Sequence, residues 1–143
     1  MAKSFERSTA YRIGDALFTA LAAIGVGPAD SLITTGRISG NRHSVPVVPV
    51  RDGDRTWIVA PYGPVAWVQN ARAAGEVGLR RGRSERRYRV HELPADEAGA
   101  VLKQYVQIAP AARSAFEATP DDPVSAFIAE AGRHPVFALE PIA

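Results

Sequence analysis

Thr34-Thr35-Gly36-Arg37-Ile38-Ser39-Gly40-Asn41-Arg42-His43-Ser44-Val45-Pro46-Val47 is the segment on which the reading of this chain turns. Apolar, β-branched residues run into it from residue 31 and out of it to about residue 51, so it joins two predicted strands, 31–35 and 44–51. Between them lie two glycines, two arginines, a serine and a histidine. Glycines let a backbone turn its N–H groups toward an anion, and Arg37, Arg42, Ser39 and His43 supply further donors. Taken alone, the segment is either a phosphate cradle or an ordinary exposed hairpin loop.

Working outward, Asp52-Gly53-Asp54 marks a tight turn into a third strand, 55–60, so the second and third strands form a hairpin. Pro46 and Pro49 each remove a backbone donor, which places the second strand at a sheet edge or bulge. A short helix follows over 65–74, opened near Pro64, closed by Gly75 and carrying Trp67 and Asn70. A second hairpin, Glu76–Arg81 with Ser84–Glu92, points Val77, Leu79, Tyr88 and Val90 inward. Pro94-Ala95-Asp96-Glu97 opens a helix to about Ile108 whose buried face holds Ala98, Val101, Leu102 and Tyr105. Short helices are expected over 111–118 and 124–131, then a last strand over 135–139. At the other end, Ile13, Leu17, Leu21 and Ile24 recur at helical spacing until Gly25-Val26-Gly27-Pro28, predicting an amphipathic N-terminal helix. Strands that do not alternate regularly with helices argue for an α+β barrel over a doubly wound sheet.

With 143 residues, 46% of them hydrophobic, the chain reads as a single domain, 1–143, with residues 1–28 packing on or lidding the barrel. A net charge of +2 demands no polyanionic partner, but Lys3 and Lys103 are the only lysines among 17 basic residues. The arginines bring planar forks suited to phosphate and carboxylate. Absence of cysteine removes disulfides, thiol nucleophiles and cysteine-ligated metals. Neither a dinucleotide fingerprint, nor a P-loop, nor a Gly-x-Ser-x-Gly elbow occurs, and His43, His91 and His134 lack metal-ligand spacing. No metal site is expected. The longest apolar stretch is too short to span a bilayer, so a cytoplasmic protein is expected, with peripheral membrane contact open to the N-terminal helix.

The Thr34–Val47 segment resembles the Thr-Thr-Gly-Arg-x-Ser-Gly…Pro signature of the deazaflavin-dependent nitroreductase-like family. The resemblance continues in order through Asp52-Gly53-Asp54-Arg55, Ala60-Pro61-Tyr62-Gly63, Ala66-Trp67-Val68-Gln69-Asn70 and Ala73-Ala74-Gly75, and returns at the terminal His-Pro-Val-Phe strand. It implies a split β-barrel of the FMN-binding type, with peripheral helices, binding the reduced deazaflavin coenzyme F-420. By position, Arg37, Ser39, Gly40 and His43, helped by Arg42, would serve the tail phosphate. Val45, Pro46 and Val47 would touch the ring or ribityl chain, Ala60, Pro61, Tyr62 and Gly63 would meet the ring edge, and Ala66, Trp67 and Asn70 would close the far side. Tyr62 is the one nearby side chain able to donate a proton.

The implied activity is hydride transfer to an electrophilic organic acceptor such as a nitro compound, quinone, enone or unsaturated lipid. A deazaflavin brings its own hydride, so missing nucleophile motifs do not count against an enzyme. The alternatives are an FMN-binding split-barrel flavoprotein, a non-catalytic cofactor carrier, and an RNA-binding protein using the basic hairpin of residues 79–89. A small-molecule acceptor is the expected partner, with no nucleic acid, in a monomer or homodimer.

Overall fold

The computed structural model describes residues 29–142. The expected N-terminal helix lies outside them. Seven antiparallel strands form one sheet: β1 (Asp30–Thr35), β2 (Arg42–Val47), β3 (Val50–Asp52), β4 (Arg55–Val59), β5 (Glu76–Arg81), β6 (Ser84–Glu92) and β7 (Val136–Pro141). Three α-helices accompany them, α1 (Ala66–Ala74), α2 (Ala95–Ile108) and α3 (Val124–Glu130), with 3-10 turns at Pro110–Ala115 and Ala131–Arg133.

The strand order is β2-β1-β5-β6-β7-β4-β3. Its two edges, β2 and β3, are consecutive in the chain, separated only by Val48 and Pro49. The three steps from Val47 to Val50 span at most about 11 Å, so the edges must come together at that corner and the sheet has to curl. β2 pairs with β1 alone and β3 with β4 alone, leaving a seam that no backbone ladder closes. The result is a split barrel. Asp30 bridges the seam by its side chain: although only 1% exposed, it accepts from Arg51 Nη2 of β3 at 2.6 Å and from Arg81 Nη1 of β5 at 3.1 Å.

The sequence reading had one strand over 44–51. The structure breaks it at Val48-Pro49 into two edge strands at opposite ends of the sheet order. The physical reason is Pro49, which can neither donate to a ladder nor leave its predecessor unconstrained. Pro46 is tolerated within β2, opposite Ser31, because β2 is an edge. The helix expected over 111–118 is a shorter 3-10 turn after Pro110.

Side-chain alternation sorts the core into two layers. Trp57 and Val59 of β4, with Val136 of β7, face α2 and α3 and pack with Leu102, Tyr105, Val106, Phe116 and Phe127. Their neighbours Ile58, Phe137 and Leu139 face the barrel interior, with Leu32, Val68, Val77 and Leu79. Each fully buried large aliphatic or aromatic side chain contributes about 1.5–3 kcal/mol. α2 and α3 touch through Gly99, where a methyl group would lie 2.4 Å from Ile128 Cγ1.

α1 packs its apolar face inside the barrel against β1 and β5, and Trp67 meets Phe137 with ring centroids 5.8 Å apart. Arg72 fixes its outer face through a bidentate pair with Glu92 of β6, at 2.8 and 2.7 Å. This hydrogen-bonded arginine holds the Glu92 carboxyl below the usual carboxylate range.

Candidate cofactor cleft

The turn from β1 into β2 is closed by two backbone hydrogen bonds, Gly36 N–H to Asn41 O at 2.7 Å and Gly40 N–H to Gly36 O at 2.9 Å. Gly40 takes φ of 74°, a left-handed conformation that disfavours any side chain. Gly36 is needed for a different reason: a methyl group there would lie 2.7 Å from Ser39 Oγ and 2.8 Å from His43 Nε2. The missing Cβ lets a hydroxyl and an imidazole converge on the loop backbone. Ser39 Oγ accepts the Asn41 N–H at 3.1 Å, leaving its hydroxyl proton to donate elsewhere.

This loop and the start of α1 form the two walls of an open cleft of about 290 Å³. Gly36, Arg37, Ser39, His43, Ser44 and Val45 line it from the loop and β2, and Ala66, Trp67 and Asn70 from α1. The first backbone N–H groups of α1, which lack intrahelical partners, therefore sit near a cluster of cationic and hydroxyl donors.

Asn70 ties the walls together. It is only 5% exposed, yet its Oδ1 accepts both the Arg37 backbone N–H, at 3.2 Å, and Arg37 Nη1, at 2.9 Å. Its Nδ2 donates to Thr34 Oγ1 at 3.3 Å. One of the five guanidinium N–H donors of Arg37 is thereby engaged by the protein, which fixes the side chain at the cleft and leaves the others for a ligand.

Of the residues singled out from sequence, Arg37, Ser39, His43, Val45, Ala66, Trp67 and Asn70 line this cleft. Gly40 shapes the loop behind it. Arg42 is exposed and ion-paired with Glu85 of β6. Pro46 is half-buried, while Val47 and Ala60 lie in the interior core. Pro61, Tyr62 and Gly63 form the connection from β4 to α1, and Tyr62 is half-buried there. The basic hairpin spends much of its charge on its own chain, with Arg87 on Glu76, Arg89 on Glu140 and Arg86 over the Tyr88 ring. Among the described residues no group of three metal-ligating side chains converges, and no helix is long and apolar enough to cross a membrane.

Sequence reasoning missed a buried pair, His134 and Glu130, each under 5% exposed. Their spacing of four residues at a helix end was the available signal.

The donor set and shape suit a ligand with an anionic tail and a flat, largely apolar body. Polar groups gather on the glycine loop, and Val45 and Trp67 add apolar lining. Fold and cleft thus define a split-barrel protein able to hold a phosphate-bearing ring cofactor.

Solved structures with this fold include one of a domain-swapped dimer, with TM-score 0.59 and 22% identity over 94% of this chain and 96% of that one. An F-420-H2 dependent reductase gives TM-score 0.55 and 22% identity over 79% and 94%. General stress protein 26 of Bacillus anthracis gives TM-score 0.51 and 11% identity over 87% and 88%. A search of curated proteins finds no match. Residues 6–137 match the F-420H(2)-dependent quinone reductase family, and the chain belongs to that family. It is therefore a deazaflavin-dependent oxidoreductase whose cofactor is F-420.

Proposed function

We propose that the cleft between the 36–44 loop and α1 holds F-420, and that the acceptor is an electrophilic organic molecule of the quinone class. The observation that carries this reading is Asn70, which brings the Arg37 fork and the Trp67 wall into one cleft. Arg37, the Ser39 hydroxyl and His43 would bind the tail phosphate, with Gly36 and Gly40 setting the backbone beneath it. Val45, Ala66 and Trp67 would orient the ring and exclude water from one face. The reduced deazaflavin supplies the hydride when bound, so the chain has to position and desolvate rather than provide a nucleophile.

The family's name supports a quinone acceptor, while nitro compounds, enones and unsaturated lipids share the same electrophilic character. Tyr62, at the entry to α1, is the proposed proton donor to the reduced acceptor. A homodimer is proposed after the domain-swapped relative.

The test pairs binding with turnover. Titration should show saturable F-420 binding that Arg37→Ala weakens by about 1.5–3 kcal/mol, the range for a hydrogen bond to a charged group. A soluble quinone should then oxidise bound F-420H2 faster than a nitroaromatic or an enone does. Unchanged affinity in folded Arg37→Ala removes the loop from the site. Faster oxidation by the other acceptors removes the quinone preference.

A further inference from the structure

Behind the connection from β4 to α1 sits an ionisable pair that the cleft does not include. His134 Nδ1 lies 2.7 Å from Pro61 O, and His134 Nε2 lies 2.7 Å from Glu130 Oε1. Glu130 also accepts two backbone N–H groups, Glu117 N at 3.1 Å and Ala118 N at 2.8 Å. The imidazole stacks on Phe116, with ring centroids 4.0 Å apart and planes inclined by 25°. Arg133, next to His134, and Glu117, whose N–H reaches Glu130, pair with each other at 3.3 Å.

The partners dictate the protons. A carbonyl only accepts, so Nδ1 carries hydrogen. Burial opposes charge on Glu130, but hydrogen bonds from Ala118, His134 and Glu117 outweigh it and hold the carboxyl below its ordinary range. Glu130, on the opposite ring nitrogen, holds the imidazole so that its Nδ1–H aims at Pro61.

Pro61 has no N–H, so its carbonyl is the one backbone group through which that residue can be anchored. Ala60, just before Pro61, donates its N–H to Pro135 O at 2.8 Å, and the connection folds on itself before α1 through Val65 N–H to Gly63 O at 2.8 Å. Immediately after come Ala66, Trp67 and Asn70, the α1 wall of the cleft.

We propose that His134, backed by Glu130, is a positioning residue for the cofactor site, its Nδ1–H clamping Pro61 and so setting the approach of α1 to the cleft. The proposal rests on the reading that the α1 wall belongs to the F-420 site. His134 touches no ligand itself. It acts through the 61–65 connection, in the way a supporting hydrogen bond fixes the geometry of groups that do make contact.

Two variants separate clamp from packing. His134→Phe keeps a ring on Phe116 and removes both donors. Glu130→Gln has an amide that still hydrogen-bonds Nε2, so the Nδ1–H bond to Pro61 survives. Fluorescence titration of folded protein with F-420 should show Kd raised roughly tenfold by His134→Phe and by a smaller factor in Glu130→Gln, since a buried carbonyl left without its donor is worth about a decade. An unchanged Kd in His134→Phe, or an equal loss in Glu130→Gln, overturns the assignment. If instead Trp67→Phe and Asn70→Ala also leave Kd unchanged, it is the α1 site reading that fails.

Should His134→Phe not fold, nitrogen NMR of the wild-type histidine rings asks the same question, with His43→Gln and His91→Gln used for assignment. His134 Nδ1 should carry hydrogen, and the ring signals should shift on saturation with F-420. An Nδ1 without hydrogen, or signals that F-420 leaves unmoved, overturns the clamp.

Discussion

Replacing Asn70 by alanine tests how one side chain couples the stability of the fold to the shape of the cleft. The substitution removes three hydrogen bonds: to the Arg37 amide, to the Arg37 guanidinium and to Thr34 Oγ1. Two neutral bonds at about 1 kcal/mol each and one charged bond at about 1.5–3 kcal/mol sum to roughly 3.5–5 kcal/mol. Arg37 is exposed and regains water when released, so the expected loss is smaller, about 2–3 kcal/mol. At this chain length that lowers Tm by roughly 6–9 °C. The same change frees the 36–44 loop from α1, so F-420 affinity should fall by about tenfold or more in protein still folded at the assay temperature. Thermal melts followed by circular dichroism, with fluorescence titration well below the midpoint, give both numbers. A lowered Tm with unchanged affinity would mean that Asn70 serves only the core, and an unchanged Tm would refute the tie between loop and helix.

Trp67→Phe should cost little stability, because a phenyl ring retains contact with Phe137, yet should weaken F-420 binding and alter energy transfer between protein and cofactor; a steep fall in Tm with normal binding refutes a role at the cleft. Tyr62→Phe should lower kcat for quinone reduction while leaving F-420 affinity nearly unchanged, and an unchanged kcat removes the proposed proton donor. Glu130 carries a pH signature. Its folded-state pKa lies below the ordinary value, so its stabilisation is complete above the usual glutamate range and is lost as pH falls through the lower folded value. Glu130→Gln should therefore flatten the acid limb of Tm against pH, and an acid limb identical to wild type would show that the carboxylate is not held as described.

Much of this architecture is written locally. The Asp52-Gly53-Asp54 turn, the Gly82 hairpin and the period of Ala98, Val101, Leu102 and Tyr105 are short-range signals, and each becomes the expected element. Pro46 and Pro49 pointed to an edge or a bulge, and β2 is an edge. What the sequence hides is non-local. Nothing in residues 44–51 says that the two halves of one apolar run end at opposite edges of a curled sheet, because that depends on β5, β6 and β7 intervening between β1 and β4.

The cleft shows the same division. The glycine–arginine loop and the Trp67/Asn70 helix were each visible as motifs, and Arg37, Ser39, His43, Trp67 and Asn70 share one cleft. Their connection was not visible, since the bond from Arg37 to Asn70 spans 33 residues. The His134 clamp on Pro61 spans 73. Buried polar partners so far apart are dictated by the fold, and a residue such as His134 reads in sequence as one more isolated histidine.

Fluorescence titration of the purified full-length protein with F-420 and, separately, with FMN tests the central assignment most directly. Both cofactors present a phosphate and a tricyclic ring, so only the cleft's own preference separates them. The predicted result is saturable F-420 binding, tighter than that of FMN and weakened in Arg37→Ala. Equal or tighter binding of FMN, or F-420 affinity indifferent to Arg37, would contradict a deazaflavin site between the 36–44 loop and α1.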